Sequence, residues 1–126
     1  MKPFVEPKRS NTILYCHHWS ETVAFYKDRL NLPITFANEW FVEFQLTTTS
    51  FLSIANAARA TIADVQGQGM TLTLEVADAA AVKMELEKLG IATTRLKRRW
   101  NALAFYCFDP EGHRLEFWTA ENKDRN

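Results

Sequence analysis

The 126-residue chain is long enough for one compact domain, or for two small units that share a core. Apolar residues make up 47% and aromatic residues 13%, enough to build that core and to set disorder aside. Fifteen basic residues balance fifteen acidic ones, so no net field draws nucleic acid or an anionic membrane, and no apolar run approaches the roughly 20 residues that span a bilayer.

Residues 1–10, MKPFVEPKRS, carry two prolines and several charges and read as an extended arm without the apolar stretch of a secretory signal. NTILYC (11–16) alternates as a half-buried strand. SETVAFYKDRL (20–30) reads as an amphipathic helix with Ser20 as N-cap; Asn31 tolerates the left-handed conformation that ends helices, and Pro33 prevents continuation. WFVEFQL (40–46) and SFLSIAN (50–56) are predicted strands around a TTT turn. Residues 57–69 are a linker with a short helical turn and a flexible Gly-rich end.

The order then repeats. MTLTLEV (70–76) is a predicted strand, Asp78 caps a helix over 79–89, and Gly90 ends it. ALAFYCF (102–108) and RLEFW (114–118) are strands joined by DPEGH, whose Asp, Pro and Gly fit a type I turn. Residues 120–126 are a polar tail. Leu14 aligns with Leu74 and Cys16 with Val76 at a spacing of 60, whereas Val23 with Val82 and Leu30 with Leu89 stand 59 apart. One residue is therefore missing from the second strand-to-helix loop or helix. Each half, 11–56 and 70–119, reads as β-α-β-β-β or β-α-β-β and is too small to bury a face alone. Cys16 and Cys107, in separate apolar stretches, fit buried thiols in a reducing cytoplasm, and no zinc-finger spacing is present.

The paired halves, the closing DPEGHRLEFW (109–118), and VAFYKDRLNLP (23–33) with its Phe-Tyr pair and Leu-x-Leu exit resemble the vicinal oxygen chelate superfamily of glyoxalases, bleomycin-resistance proteins and extradiol dioxygenases. The resemblance implies an α+β fold of two tandem βαβββ modules, whose curled mixed sheets surround a concave cleft that holds the ligand. Period-2 alternation then sorts the strands. Leu72, Leu74, Val76, Val42, Phe44, Leu46, Leu115 and Phe117 face the core. Asn11, Ile13, Tyr15, Phe41, Glu43, Gln45, Thr71, Thr73, Glu75, Arg114, Glu116 and Trp118 face the cleft.

Enzymes of the superfamily hold one divalent metal on the concave face. The resemblance carries its ligand positions onto Asn11, Ser53, Thr71 and Glu116, of which only Glu116 is a good donor. The expectation is therefore a site with no metal and no cofactor. His17, His18 and His113 read as solvent-exposed loop histidines; a displaced metal site would have to combine them with Glu116. Glu43, Glu75 and Glu116 offer acid–base groups but lack a visible nucleophile or partner base, and read as satisfied by Arg95, Arg99, Arg114 or water.

What remains is a binding surface. Its candidates are Tyr15, Phe41, Glu43, Gln45, Phe51, Ser53, Thr73, Glu75, Trp100, Glu116 and Trp118, with Tyr106 beside them, and no catalytic residue is assigned. Rings with directional polar groups suit a small aromatic or cationic organic molecule. The basic run RLKRRWN (95–101) reads as a solvated edge or as a clamp for an anionic group. The resemblance to metal-free bleomycin-resistance proteins implies a homodimer that sequesters its ligand without chemistry, and the two cysteines place it in the cytoplasm. The alternatives are a metal-dependent lyase, isomerase or dioxygenase with a displaced metal, and a protein-interaction module.

Overall fold

The computed structural model of the chain describes residues 4–121. Residues 1–3 of the arm and 122–126 of the polar tail lie outside the described residues. The chain divides between Gln66 and Gly67 into two units.

The first unit runs β1 (Ser10–Cys16), α1 (Trp19–Ala24), β2 (Ile34–Ala37), β3 (Phe41–Gln45) and β4 (Ser50–Asn56), followed by a 3-10 turn (Ala57–Arg59). Its sheet has the order β1-β4-β3-β2, with β1 parallel to β4 and the other pairs antiparallel. The second unit repeats the plan as β5 (Thr71–Glu75), α2 (Ala79–Lys88), β6 (Lys97–Arg99), β7 (Ala102–Phe108) and β8 (Arg114–Ala120). Its sheet is ordered β5-β8-β7-β6, again with one parallel pair, β5 and β8. Each unit is thus βαβββ with a mixed sheet, the expected fold class. The short edge strands β2 and β6 settle the choice that the sequence left open. Both are exposed along their length, so neither shows the alternation of a half-buried strand.

Alternation places the cores. Leu14, Cys16, Val42, Phe44, Leu52 and Ile54 are buried in the first unit with Phe25 and Tyr26 of the helical segment. Phe105, Cys107, Leu115 and Phe117 are buried in the second with Ala79 and Leu86 of α2, which packs on β7 and β8. Each large apolar side chain withdrawn from water in this way contributes about 1.5–3 kcal/mol.

The two helices differ. α2 follows the expectation: the Asp78 carboxylate accepts from the Ala81 N–H at 3.1 Å, and Gly90 ends the helix at φ +81°. α1 does not start at a Ser20 cap. It starts at Trp19, whose indole N–H donates to the Ile54 carbonyl at 2.9 Å, with His18 at the cap position making no side-chain capping bond. Anchorage to β4 therefore overrides capping preference. α1 then passes into a π turn, Phe25–Arg29, in which the Leu30 N–H reaches back five residues to the Phe25 carbonyl. A π turn inserts one residue into a helix. The caps His18 and Asp78 stand 60 apart and the ends Leu30 and Leu89 stand 59 apart, so the residue missing from the second half lies within the helix. The widened turn lets the adjacent residues Phe25 and Tyr26 both point inward, edge to face at 5.1 Å.

The Gly-rich end of the linker is packed in place. Gly67 is buried at φ +76°, and a Cβ there would lie 2.3 Å from the Gly112 carbonyl carbon in the DPEGH turn. Among the described residues no helix is long and apolar enough to cross a membrane.

Candidate functional site

The face of the second sheet opposite its core is laid out by strand register. One row reads Thr73–Glu116–Tyr106, the next Glu75–Trp118–Ala104–Lys97, and the last Ala120–Ala102–Arg99. Over it lies a cavity of about 520 Å³. Thr73, Glu116, Trp118 and Tyr106 line it together with Thr94, Arg95, Lys97, Arg99 and Trp100; Glu75 is not part of the lining.

The hollow has a simple cause. β7 contributes Ala102 and Ala104 to this face, so the middle of the sheet carries almost no side-chain volume. The corresponding row of the first sheet reads Tyr15–Ala55–Phe41. Large and small residues have changed places: Ala104 stands where Phe41 does, and Trp118 where Ala55 does. Trp118 and Tyr106 then form walls instead of filling.

The β6–β7 connection is a two-residue hairpin turn, Trp100 and Asn101, at φ +54° and +64°. Paired positive φ is the geometry that Asn-Gly usually supplies, and a bulky residue held there costs of order 1–3 kcal/mol. This strained tryptophan lines the cavity, is 91% exposed and belongs to no core.

Charge at the hollow also follows from alternation. Arg98 points to the other face of β6 and is held by both Glu121 oxygens, Nε at 2.7 Å and Nη2 at 2.9 Å. Lys97 and Arg99, one residue either side, line the cavity with Arg95. The carboxylate in the lining is Glu116, which accepts a hydrogen bond from the Thr73 hydroxyl. Arg114 is engaged elsewhere: its Nε donates to the Thr71 hydroxyl at 2.8 Å, and its guanidinium lies 4.3 Å from the centre of the Tyr106 ring.

The equivalent face of the first sheet is occupied by its own side chains. Its rows are Asn11–Phe51–Gln45 and Ile13–Ser53–Glu43. Arg9 places its guanidinium 3.8 Å from the centre of Phe51 and donates to Glu43 at 2.8 Å. Asn11 donates to the same Glu43 oxygen at 3.3 Å and accepts from the Ser53 hydroxyl at 2.8 Å. A bulge in β2 aims the Thr35 hydroxyl at the other Glu43 oxygen, 2.7 Å away. The Thr35 bond, against some desolvation and helped by Arg9, holds the Glu43 carboxyl below its ordinary pKa. Glu43 is therefore satisfied by Arg9, Asn11 and Thr35, not by the arginines expected from the sequence.

These contacts also test the metal positions implied by the resemblance. Asn11 and Ser53 are hydrogen-bonded to each other, Thr71 faces the Arg114 guanidinium, and only Glu116 is anionic. Three neutral oxygens, one beside a fixed cation, do not make a donor set for a divalent transition metal. Among the described residues no three His, Cys, Asp or Glu side chains gather in a way that could hold a metal. His113 is not an exposed loop residue. It is 3% exposed, and its Nδ1 lies 2.8 Å from Asp109 Oδ2. The other Asp109 oxygen accepts from the N–H groups of Glu111, Gly112 and His113 at 3.0, 3.0 and 2.9 Å. The pair builds the turn that launches Glu116. His17 and His18 lie in the first unit with their rings edge to face at 4.8 Å, and His18 stands 4.0 Å from Glu21. Cys16 and Cys107 are buried and not joined in a disulfide; burial, then the Asp109 charge, pushes the Cys107 thiol up to about 11.

The candidates named from sequence thus form two sets. Thr73, Trp100, Glu116 and Trp118 meet at the hollow of the second unit, while Tyr15, Phe41, Glu43, Gln45, Phe51 and Ser53 belong to the self-occupied face of the first. Ala102, Ala104 and Thr94 were not singled out. An alanine in an apolar strand carries no chemical signal, and only its register partner, Trp118, shows that it leaves room.

The sequence profile of the Glyoxalase/Bleomycin resistance protein/Dioxygenase superfamily matches residues 10–117. Among solved structures, a lactoylglutathione lyase from Agrobacterium tumefaciens is similar at TM-score 0.74 and 20% identity, over 94% of this chain and 96% of that one. A glyoxalase/bleomycin resistance protein/dioxygenase from Nocardioides is similar at TM-score 0.77 and 17% identity, over 96% and 88%. A glyoxalase-related enzyme from Fulvimarina pelagi is similar at TM-score 0.72 and 18% identity, over 87% and 86%. At these identities the likeness is one of fold. No curated protein matches the sequence. With the profile spanning nearly the whole chain and both units built as βαβββ, the protein belongs to the glyoxalase/bleomycin resistance/dioxygenase superfamily.

Proposed function

We propose that the chain binds a small planar organic molecule in the hollow of the second sheet, without a resident metal, in the manner of a sequestering or resistance protein. The observation that carries this reading is the alanine pair Ala102 and Ala104, which opens about 520 Å³ between Trp118, Tyr106 and the strained Trp100. That volume is within the range of pockets for small organic ligands, roughly 300–1,000 Å³, and rings with a few polar groups are their usual lining. Glu116, Thr73 and Thr94 supply directional hydrogen bonds. Glu116 is paired with a hydroxyl, and no nucleophile–base pair stands beside it, which favours binding over turnover. The donor chemistry of Asn11, Ser53 and Thr71 supports the metal-free part. Commitment of His113 to Asp109 weighs against a displaced site for lyase, isomerase or dioxygenase chemistry. A homodimer in the cytoplasm belongs to the same reading, the dimer from the family and the compartment from two buried cysteines that form no disulfide.

The test is a thermal-shift screen of planar aromatic molecules against the wild type and Ala104→Trp. A ligand at about 100 times its dissociation constant stabilises the native state by about 2.7 kcal/mol. The expected result is a shift in the wild type that disappears when the hollow is filled. No shift with any molecule, or equal shifts in both proteins, overturns the reading. A stoichiometric transition metal retained through purification, measured by elemental analysis, overturns its metal-free part.

A further inference from the structure

We infer that the molecule taken up by the hollow is an aromatic anion, a flat ring system bearing a carboxylate or another oxyanion. This rests on the binding reading above and deepens it. Three cationic side chains, Arg95, Lys97 and Arg99, line the cavity against one carboxylate, Glu116, so the lining carries a net charge of two positive. β6 separates its charges by face: Arg98 is neutralised by Glu121, whereas Lys97 and Arg99 are turned to the side where the cavity lies. A guanidinium presents parallel N–H groups that match the two oxygens of a carboxylate, and a neighbouring ammonium adds charge without fixed geometry. The rings of Trp100, Trp118 and Tyr106 supply flat surfaces within the same lining.

A cationic ligand would need the carboxylates expected on the cleft face, Glu43, Glu75 and Glu116. Glu43 lies in the first unit and is already salt-bridged to Arg9 at 2.8 Å. Glu75 is not part of the cavity lining, and Glu116 accepts the Thr73 hydroxyl. The first sheet even shows how a cation is held in this fold: Arg9 lies over Phe51 with its guanidinium on Glu43. The second sheet offers the reverse polarity.

The experiment uses four probes that share one ring system: naphthalene-2-carboxylate, 2-naphthyl phosphate, naphthalene-2-carboxamide and naphthalen-2-ylmethylammonium. Binding to the wild type and to the double variant Lys97→Gln/Arg99→Gln is read by quenching of tryptophan fluorescence. The expected order is either oxyanion, then the amide, then the ammonium. The oxyanion advantage over the amide should be roughly tenfold at low salt, as two or three partly exposed ion pairs would give. It should shrink in about 0.3 M salt and fall towards one in the double variant. Whichever of carboxylate and phosphate binds tighter identifies the oxyanion. An ammonium that binds best, an amide equal to both anions, or an advantage unchanged by the double substitution overturns the charge inference and leaves the binding reading standing. If no probe binds the wild type up to millimolar concentration, both fall.

Discussion

Replacing Asp109 by alanine should be among the most damaging single changes in the second unit. The residue is 4% exposed, and its carboxylate serves the N–H groups of Glu111, Gly112 and His113 as well as the His113 ring. Gly112 keeps a backbone acceptor, the Asp109 carbonyl at 3.0 Å, so its loss is small. The N–H groups of Glu111 and His113 lose this acceptor, at about 1–3 kcal/mol for each buried donor left unmatched. The imidazole loses its Asp109 hydrogen bond, at about 1–3 kcal/mol for a buried polar group left unmatched. These contributions overlap, so the expected loss is about 3–5 kcal/mol out of a total stability of about 5–15 kcal/mol. Asp109→Asn keeps an oxygen for the backbone donors and an amide that can meet the other imidazole tautomer, so it should cost only about 1–2 kcal/mol. Urea denaturation at neutral pH, followed by tryptophan fluorescence, measures both. An alanine variant within about 1 kcal/mol of the wild type, or an asparagine variant as damaged as the alanine one, would refute the account of this turn.

Gly67→Ala should destabilise the protein more than Gly69→Ala, because both residues have positive φ but only at Gly67 would the new methyl meet backbone, at 2.3 Å; thermal denaturation of the two variants makes the comparison. Glu43→Gln should be less stable than the wild type at neutral pH. Since the folded carboxyl titrates below its ordinary 4.5, the wild-type advantage should persist above that pH and vanish as pH falls through the lowered value, as urea midpoints across pH 2.5–7 would show. Cys107 should resist aromatic disulfide reagents in the native state at pH 8 and react on unfolding. With a folded value near 11 against 9.0, the stability gained by keeping the thiol neutral is intact below pH 9 and is lost as pH rises towards 11, a decline that Cys107→Ala should lack.

Much of the fold was legible because its signals are periodic. β4 and β7 coincide with SFLSIAN and ALAFYCF, and alternation assigned Leu115 and Phe117 to the core and Glu116 to the other face. β2 and β6 were obscure because edge strands bury little, and their residues read as loop. α1 was misplaced by two residues in its capping, since the Trp19 anchor to Ile54 is a tertiary contact with no local signature. His113 looked like an exposed turn residue for the same reason: nothing in DPEGH by itself says that the turn is buried beside Gly67. At the site, the chemically vocal residues Glu116, Trp118 and Trp100 were found, and the silent alanines that create the space were not.

On β7, Ala102 and Ala104 alternate with Leu103 and Phe105, and Phe105 stacks on Phe117 at 5.5 Å on the core side. The room in the cavity is thus set by the even positions Ala102 and Ala104, and the core stacking by the odd position Phe105, which only adjoins the cavity. Substitutions at the even positions can resize or reshape the recognition chamber while the odd ones go on holding the unit together. Ligand preference in such a scaffold is free to diverge much faster than architecture.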